Sequence, residues 1–548
     1  MTAVTTPAPA GAGHRTGTGT GTGAGQLAGT WTLLRLALRR DRIMMPVWVI
    51  VLGGSFSSVG RSFASLYDTA AQRAGLAASM NGNSSLRAMY GPVFSDSVGG
   101  LVSWRMVGFG GALAAVMSLI VVIRHTREEE ETGRQEMLSS AMVGRRAPLT
   151  AALLAALIAD GALALVIAAG MAGSGAGGAG AVALALTVAG IGVLFACTAA
   201  ITAQFTESAR LAKGFTAAVI GAAFVLKAAG DSTTDDGSSL LTWLSPLGWA
   251  ENVRAYADER WWVLLVIAAA VAVQAALAYT LTGRRDVGMS FLATRPGPAR
   301  GRISTAFGLA LRLQRGALIG WTLSFATAGV VFGGLTGGAA DLVGDNAKTR
   351  EIFERMGGQA GLTDAFLAAM VSVLGTVAAL YIVASVLRLH GEEIAGRAEP
   401  VLAGGVSRIG WAAGHLVIAF GGAALIMAVG GLGLAAGYGH ELPAVLGASL
   451  VQLPAIWLLG GMTVLLYGAL PKAAVASWGV AGICLALGWI GPAIHMPQPV
   501  MDVSPFTHLP KLPGGTGMEW GPVLALAAAA VVLVGAGVAA LRRRDVLT

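Results

Sequence analysis

Long apolar stretches, bounded by charged or glycine-rich residues, recur along almost the whole chain. A helix that crosses a bilayer needs about 20 mainly apolar residues, and twelve stretches have that length and composition. They lie near residues 43–60, 106–123, 149–172, 180–204, 214–230, 261–282, 317–337, 365–387, 411–437, 443–469, 474–493 and 521–540. The fifth is the weakest because Lys227 interrupts it near one end. The pattern predicts an all-α integral membrane protein with about twelve transmembrane helices.

The composition agrees with a membrane protein and excludes an ordinary soluble enzyme. Of the 548 residues, 55% are hydrophobic and 12% charged, whereas soluble domains carry about 25% charged residues. Both cysteines, Cys197 and Cys484, lie inside apolar stretches, which disfavours a structural disulfide or a cysteine zinc site. The first 26 residues are rich in Gly, Thr, Ala and Pro. They lack the apolar core of a signal peptide, so we expect a disordered tail over 1–26.

The net charge of +8 would suggest a nucleic-acid partner for a soluble protein. In a membrane protein, basic residues instead concentrate in cytoplasmic loops. With the N-terminus inside, the inner segments hold 26 of the 37 basic residues and the outer segments hold 11, in equal lengths of chain. We therefore expect both termini in the cytoplasm, a multi-pass protein of the plasma membrane, and no nucleic-acid partner.

Four motifs occur twice, in the same order. They are Leu-Ala-Leu-Arg (36–39 and 309–312), Glu-Glu-x-x-Gly-Arg-x-Glu (129–136 and 392–399), Ser-Pro (245–246 and 504–505) and Arg-Arg-Asp-Val (284–287 and 543–546). The offset falls from 273 to 263 to 259 along the chain, as loop-length differences between duplicated halves would produce. We expect six-span halves over 27–282 and 307–548 with a cytoplasmic linker at 283–306. Parallel repeats favour a transporter or channel whose pathway lies between the halves.

Each half opens with a short basic stretch, over residues 31–42 and 307–315, in which apolar and basic residues alternate at helical spacing. Such helices lie in the membrane interface before the chain turns into the bilayer. Two roles stay open: simple cytoplasmic anchors, or helices that also transmit motion. The basic side chains concerned are Arg35, Arg39, Arg42, Arg312 and Arg315.

The Glu-Glu-x-x-Gly-Arg-x-Glu motif follows the second span of each half. Glu130 and Arg134 are four residues apart, as are Glu393 and Arg397, which predicts helical salt bridges of about 0.2–0.5 kcal/mol. The motif is interpreted either as a solvated loop copied by duplication or as a cytoplasmic helix presented to a partner, and we favour the partner. The candidate coupling residues are Glu129, Glu130, Gly133, Arg134, Glu136 and Arg145, and Glu392, Glu393, Gly396, Arg397, Glu399 and Arg408.

The region after the fifth span is apolar, rich in tryptophan and too short to cross the membrane. Ser245-Pro246 is a helix-start pattern, because serine caps helices and proline fits the first turn. We expect short re-entrant or interfacial helices that form an outer gate. Its candidate residues are Trp243, Ser245, Pro246, Trp249, Ser504 and Pro505. A long outer loop over 61–105, with a shorter counterpart near Arg355, is expected either to cap the pathway or to serve only as a structural cover.

Asp160 is the one acid placed well inside a predicted span. A carboxylate at that depth costs about 2.5–3.5 kcal/mol on insertion scales, and intramembrane acids are functional hypotheses by default. The alternative is a buried acid satisfied by a Ser, Thr or Arg side chain. Lys227 is expected to snorkel to the outer interface.

Three chemical motifs are missing from the sequence. None of the five lysines follows a glycine, so the Gly-Lys-Ser/Thr phosphate loop is absent. The sequence also lacks a His-Glu-x-x-His zinc helix and a Gly-x-Ser-x-Gly nucleophile elbow. We therefore expect no catalytic residue, no metal site and no cofactor bound by this chain.

Taken with their order, the repeated loops, the basic helices and the Ser-Pro-Leu-Gly-Trp stretch resemble the type-2 permeases of ATP-binding-cassette exporters. More narrowly, they resemble the actinobacterial fused-half permeases of polyketide-antibiotic and multidrug export, of the tetronasin-transport kind. The resemblance covers residues 30–548. The second half reads Phe506-Thr507-His508 after Ser-Pro, so the two outer gates are expected to differ.

The resemblance implies a non-enzymatic permease subunit that exports hydrophobic or amphipathic compounds, such as antibiotics, drugs or lipids. A separate dimeric ATPase would bind ATP and Mg, and the repeated charged motifs would couple it to the membrane helices. The alternative function is a proton-coupled drug antiporter of twelve spans that uses Asp160. A ligand sensor that moves nothing is a third, weaker possibility, because the chain lacks a dedicated soluble sensory domain.

Overall fold

The structure is a computed structural model that describes residues 23–139, 143–286, 288–292, 301, 303–336, 362–493, 496–514 and 517–544. Within these residues, twelve helices are long and apolar enough to cross a membrane. We number them as spans 1 to 12: Met44–Leu66, Val98–Arg124, Ala147–Gly173, Ala179–Phe205, Ala209–Thr233, Trp261–Arg284, Ala306–Thr336, Leu362–Ile394, Arg408–Tyr438, Leu442–Ala469, Ser477–Ala493 and Trp520–Arg543. The predicted all-α membrane fold is confirmed, including the weak fifth span.

Shorter helices lie between the spans. They are Gly23–Gln26, Thr30–Arg40, Ala70–Gly82, Ser84–Tyr90, Arg127–Glu131, Arg134–Ser139, Leu240–Leu244, Pro246–Asn252, Ala398–Ala403 and Gln498–Met501, with 3₁₀ turns at Pro471–Ala476 and Pro505–His508. Several predicted features lie outside the described residues, namely most of the tail, the centre of the linker, the loop around Arg355, and Asp545.

The chain divides into two compact units. The first comprises Met1–Ala64 and Tyr90–Arg295, and the second comprises Ser65–Met89 and Pro296–Thr548. Spans 1 to 6 therefore fall in the first unit and spans 7 to 12 in the second. The segment between spans 1 and 2, with its short helix Ala70–Gly82, groups with the second unit.

Span 4 is the central helix of the first unit, where it packs against spans 2, 3 and 6. Its 27 residues contain no charged side chain and many alanines and glycines, so neighbouring helices can approach closely. At Gly192 the approach is closest, since an added Cβ would overlap the Asp160 carboxylate of span 3.

In the second unit, spans 7 and 9 form the most extensive helix pair. Glycines on both helices face the opposite backbone: a Cβ at Gly329 would meet the carbonyl of Gly430, and one at Gly433 would meet that of Ala326. Small residues let the two backbones touch without intervening side chains, which is how helices gain van der Waals contact inside a membrane.

The basic stretches at the start of the two units fold differently. Thr30–Arg40 ends at Asp41, whose buried carboxylate pairs with Arg124 at 2.7 Å, and the chain turns before span 1. At the matching position Gln314 lies within the continuous helix Ala306–Thr336. Asp favours helix ends, whereas Gln is a good helix former. The expected turn is therefore present in the first unit only. The arginines of both stretches are exposed, namely Arg35, Arg39, Arg42, Arg312 and Arg315.

Candidate functional site

The charged motif of the first unit folds around a buried ion pair. Arg285, just after span 6, donates to both carboxylate oxygens of Glu130 at 2.7 Å. Arg127 donates to the same carboxylate at 2.6 Å, and Arg145 donates to the carbonyl of Arg285 at 2.6 Å. The side chains of Glu130 and Arg285 are each 6% exposed. We name Glu130, Arg285 and Arg145 the first clasp.

The second unit contains a cluster with the same connections. Arg544, just after span 12, donates to both carboxylate oxygens of Glu393 at 2.7 Å. Arg408 donates to the carbonyl of Arg544 at 2.5 Å, and Tyr467 donates to Glu393 at 2.5 Å. We name Glu393, Arg544 and Arg408 the second clasp.

The clasps bring together motifs that are far apart in sequence. Each joins the loop after the second span of a unit to the end of that unit's sixth span. The sequence offset of 263 that aligns Glu130 with Glu393 also aligns Arg145 with Arg408, and the offset of 259 aligns Arg285 with Arg544. Sequence reasoning identified the Arg-Arg-Asp-Val repeat but gave it no role. Its recurrence at both span ends was the available signal.

The predicted helical salt bridges Glu130–Arg134 and Glu393–Arg397 are wrong. Arg134 instead binds Glu129 at 3.0 Å, and Arg397 binds Glu392 at 2.8 Å, across five residues in each case.

The physical reason for these pairings is a helix break at each motif's glycine. Gly133 has φ +70° and Gly396 has φ +66°, a left-handed conformation that glycine adopts at little cost. After the breaks, Arg134 and Arg397 pair with Glu129 and Glu392. Glu130 and Glu393 pair instead with Arg285 and Arg544 at the span ends.

Part of each motif stays on the surface. The side chains of Arg134 and Arg397 are 48% and 59% exposed, and Glu136 and Glu399 are exposed as well. Glu129 also binds Arg40 of the basic helix at 2.5 Å. The motif thus has a buried half that holds spans together and an exposed half that is available for contacts.

Two short helices, Leu240–Leu244 and Pro246–Asn252, form a hairpin after span 5. Its second helix begins at Ser245-Pro246, as the sequence predicts. Ser245 Oγ accepts hydrogen bonds from the backbone amides of Leu247 and Gly248 at 3.2 and 3.4 Å, with Pro246 in the first turn. The same hydroxyl donates to the carbonyl of Ala223 in span 5 at 2.7 Å. The cap therefore fixes the hairpin to the span as well as starting its helix.

Two of the expected gate tryptophans are joined in this hairpin. Trp249 Nε1 donates to the carbonyl of Trp243 at 2.6 Å. Trp243 also stacks on Trp262 at the start of span 6, with ring centroids 5.5 Å apart. In the second unit, Ser504 and Pro505 lead into a 3₁₀ turn instead of an α-helix. The two hairpins therefore differ in structure.

Lys227 does not snorkel, which contradicts the sequence expectation. Its ammonium is fully buried, 2.7 Å from Glu251 of the hairpin and 3.3 Å from Asp231 of its own helix. Asp231 also accepts a hydrogen bond from Thr242 at 2.7 Å. Burial raises the pKa of Glu251 well above its usual range, and the Lys227 ammonium opposes that rise. Sequence reasoning missed this triad: the four-residue spacing of Lys227 and Asp231 was an available signal, whereas Glu251 comes from a separate segment.

Asp160 is fully buried between helices of the first unit. It accepts a hydrogen bond from Ser118 of span 2 at 2.7 Å, and it faces Gly192 of span 4. Ser118 therefore satisfies one carboxylate oxygen, as the alternative of a buried, hydrogen-bonded acid expects, whereas Oδ1 is buried without a hydrogen-bond partner. Within the described residues, no group of three His, Cys, Asp or Glu side chains could hold a metal ion.

Two comparisons with known proteins identify the family. Residues 303–542 match the family described as the multidrug efflux system permease Rv1217c, C-terminal domain. The chain is also 42% identical over 528 residues to the multidrug efflux system permease protein Rv1217c of Mycobacterium tuberculosis, which covers 94% of this chain and 95% of the relative. Together with the twelve apolar helices, this similarity makes the protein a multi-pass permease of the plasma membrane. The chain belongs to the family of multidrug efflux permeases that includes Rv1217c.

Proposed function

We propose that this permease is the membrane subunit of an ATP-driven exporter of hydrophobic or amphipathic compounds, energised by a separate dimeric ATP-binding-cassette ATPase. Its two halves are duplicates with cytoplasmic termini, and the substrate crosses at their interface or enters laterally from the bilayer. The narrower assignment to the fused-half, polyketide-antibiotic kind belongs to the same proposal.

The observation that carries the proposal is the recurrence of the clasp. A solvated loop copied by duplication would have no reason to keep a buried carboxylate bonded to a span-end arginine in both units. The bonds of Glu130 to Arg285 and of Glu393 to Arg544 tie each charged motif to a membrane helix. A force applied to the exposed part of the motif is therefore transmitted to the helix end.

The exposed half of each motif is the proposed docking surface for the ATPase. Arg134 and Arg397 are exposed, as are Glu136 and Glu399 two residues later, which gives each motif an exposed part of mixed charge. Complementary charges on a partner set register and orientation more than affinity. Because this chain lacks a phosphate-binding loop, ATP and Mg would be bound by the partner.

The test is co-purification of the tagged permease with a P-loop ATPase, followed by measurement of ATP hydrolysis by the complex. Arg134→Glu combined with Arg397→Glu should abolish ATPase association while the permease still inserts; its unfolding temperature is measured alongside, because Glu392, the partner of Arg397, is 6% exposed. Glu130 and Glu393 are unsuitable for this test because they are buried. An intact, active complex in the double variant would refute the coupling assignment.

The alternative, a proton-driven antiporter, rests on Asp160. Its carboxylate is sealed between spans 2, 3 and 4 and bonded to Ser118, and a proton carrier needs access from both sides of the membrane. Asp160→Asn should leave drug export unchanged if the ATPase drives transport. Loss of export in this variant, with normal insertion, would favour the antiporter.

A further inference from the structure

A cavity of about 290 Å³ lies within the second unit. It is enclosed by span 8, span 11 and the hairpin segment 496–512, with Gln452 of span 10 at its wall. Its volume is close to the lower end of small-molecule pockets, which hold about 300–1,000 Å³.

Two small residues of the cavity wall stand at positions where the first unit has large ones. The offset of 263 aligns Ala368 and Ser372, which line the cavity, with Arg105 and Phe109. In the first unit, Arg105 lies over the ring of Tyr90 at 4.0 Å, and Phe109 packs against the same ring at 5.7 Å. The large side chains therefore pack together in the first unit, whereas the small ones of the second unit border a cavity.

The buried charges of the first unit are also missing from the second. The offset of 259 aligns Lys227 with Ala486 and Glu251 with Pro510, and Pro510 lines the cavity. In the first unit, Lys227 and Glu251 form an ion pair that joins span 5 to the hairpin. Replacing this pair by Ala and Pro removes both the charge and the cross-link.

The lining combines apolar side chains with neutral hydrogen-bonding groups and one lysine. The apolar side chains include Val373, Leu485, Met501, Phe506, Leu509 and Leu512. Gln452 and Ser504 add polar groups, and both Gln452 Oε1 and Ser504 Oγ are buried without a hydrogen-bond partner. A carboxamide turns about a broad terminal torsion, so Gln452 can present either its oxygen or its NH₂ group to a ligand.

The charges of the lining residues limit which ligands the cavity can bind. Among the described lining residues, Lys511 is the charged one, and none is Asp, Glu or His. A cation bound here would lose its hydration without gaining a counter-charge, which is costly in an apolar site. An uncharged molecule with an apolar body and a hydrogen-bonding group meets no such penalty.

We propose that this cavity is a binding site for uncharged amphipathic small molecules, and that the permease recognises such exported compounds within its second unit alone. The transport role of the site rests on the proposed function, whereas binding itself does not. The matching region of the first unit, filled by aromatic side chains and locked by the Lys227 triad, is the non-binding copy.

The test uses the full-length permease, without any ATPase, in lipid nanodiscs. Nile red, an uncharged amphipathic dye, is titrated and its fluorescence is corrected with empty nanodiscs. Ser372→Phe and Ala369→Met introduce the residues found at positions 109 and 106 of the first unit. Each should weaken dye binding at least tenfold by filling the cavity, whereas Ser372→Ala, which fills nothing, should stay within twofold of the parent protein.

Two further measurements address the chemistry of the site. Gln452→Met keeps the side-chain length but removes the hydrogen bond, and it should weaken binding by about 2–10-fold, because a neutral hydrogen bond contributes about 0.5–1.5 kcal/mol. Tetraphenylphosphonium, a lipophilic cation, should fail to displace the dye. Displacement by this cation at concentrations comparable to Nile red would refute the proposed ligand class.

Thermal unfolding shows whether Ser372→Phe and Ala369→Met are folded. One folded variant of the two is enough for the binding test. The proposal is overturned if the parent protein shows no saturable binding, or if folded Ser372→Phe or Ala369→Met binds the dye within twofold of the parent protein. Because these measurements omit the ATPase, they leave its partnership untouched. Failure to find an ATPase partner would likewise leave dye binding unchanged.

Discussion

Arg544 binds Glu393 through two parallel hydrogen bonds of 2.7 Å, although 151 residues separate them in the chain. Glu393 lies in the last turn of span 8, and Arg544 follows span 12. Bidentate geometry of this kind is specific to arginine. The pair therefore fixes two helix ends against each other, and Arg285 does the same with Glu130 in the first unit.

Arg544→Gln is expected to destabilise the protein by about 3 kcal/mol. The substitution leaves the Glu393 carboxylate, 1% exposed, without its cation, and breaking one side of a buried pair costs about 3–5 kcal/mol. Arg285→Gln should cost less, because Arg127 still pairs with Glu130 at 2.6 Å. The measurement is thermal unfolding of the purified protein in detergent.

Arg397→Gln is the matched control for this prediction. Its side chain is 59% exposed, and its partner Glu392 keeps a second ion pair with Arg388 at 2.8 Å, so we expect a loss of about 0–1 kcal/mol, as for surface ion pairs. Equal losses in Arg397→Gln and Arg544→Gln would show that the clasp has no special stabilising role.

Gly396→Ala should destabilise the second motif by about 1 kcal/mol. The position has φ +66° and open space around it, so the penalty is conformational and comes from placing a Cβ in the left-handed region, at about 1–2 kcal/mol per residue. Gly391→Ala provides the opposite control. Gly391 lies inside span 8 with open space, where Ala stabilises a helix by about 0.8–1.0 kcal/mol. Opposite shifts in unfolding temperature check the prediction, and shifts of the same sign contradict it.

Lys227→Met should cost about 3–5 kcal/mol at neutral pH, because it leaves Asp231 and Glu251 buried without their cation. Burial already raises the pKa of Glu251 from its ordinary 4.5, and removing Lys227 raises it further. The folded variant then binds protons more tightly than the unfolded chain. The deficit relative to the parent protein therefore shrinks as pH falls, because protonation of Glu251 relieves the unpaired charge, and it grows as pH rises through the pKa of Glu251 in the parent protein, which lies above 4.5.

The check is the unfolding temperature of Lys227→Met relative to the parent protein across a pH series. Adding Glu251→Gln to the variant removes one of the unpaired charges and should recover part of the loss and flatten the pH dependence. A deficit that is independent of pH in Lys227→Met would mean that packing, and not charge, accounts for the loss.

Gly192→Ala should destabilise the first unit, because the new methyl group would overlap the Asp160 carboxylate. Asp160→Ala removes that obstacle. The double variant should therefore lose less stability than the sum of the two single variants, with a coupling of about 0.5–3 kcal/mol as found for residues in contact. Unfolding of the four proteins measures this coupling, and strict additivity would place Asp160 and Gly192 out of contact.

Features that depend on neighbouring residues, such as span length and helix caps, could be predicted from the sequence. The twelve spans follow from the length and hydropathy of continuous stretches, and the helix start at Ser245-Pro246 follows from a cap within three residues. The repeated motifs could also be identified from the sequence, because finding a repeat requires no knowledge of contacts.

The partners in each ion pair depend on the tertiary structure and could not be predicted from the sequence. Helical spacing assigned Arg134 to Glu130, but the turn at Gly133 and the distant Arg285 changed both partners. Lys227 was expected at the surface, yet Glu251, 24 residues later, returns over span 5 and keeps it buried. The cavity of the second unit likewise depends on residues from four separate segments. Pairing and packing energies depend on distance in space, which the folded chain sets and the order of its residues does not.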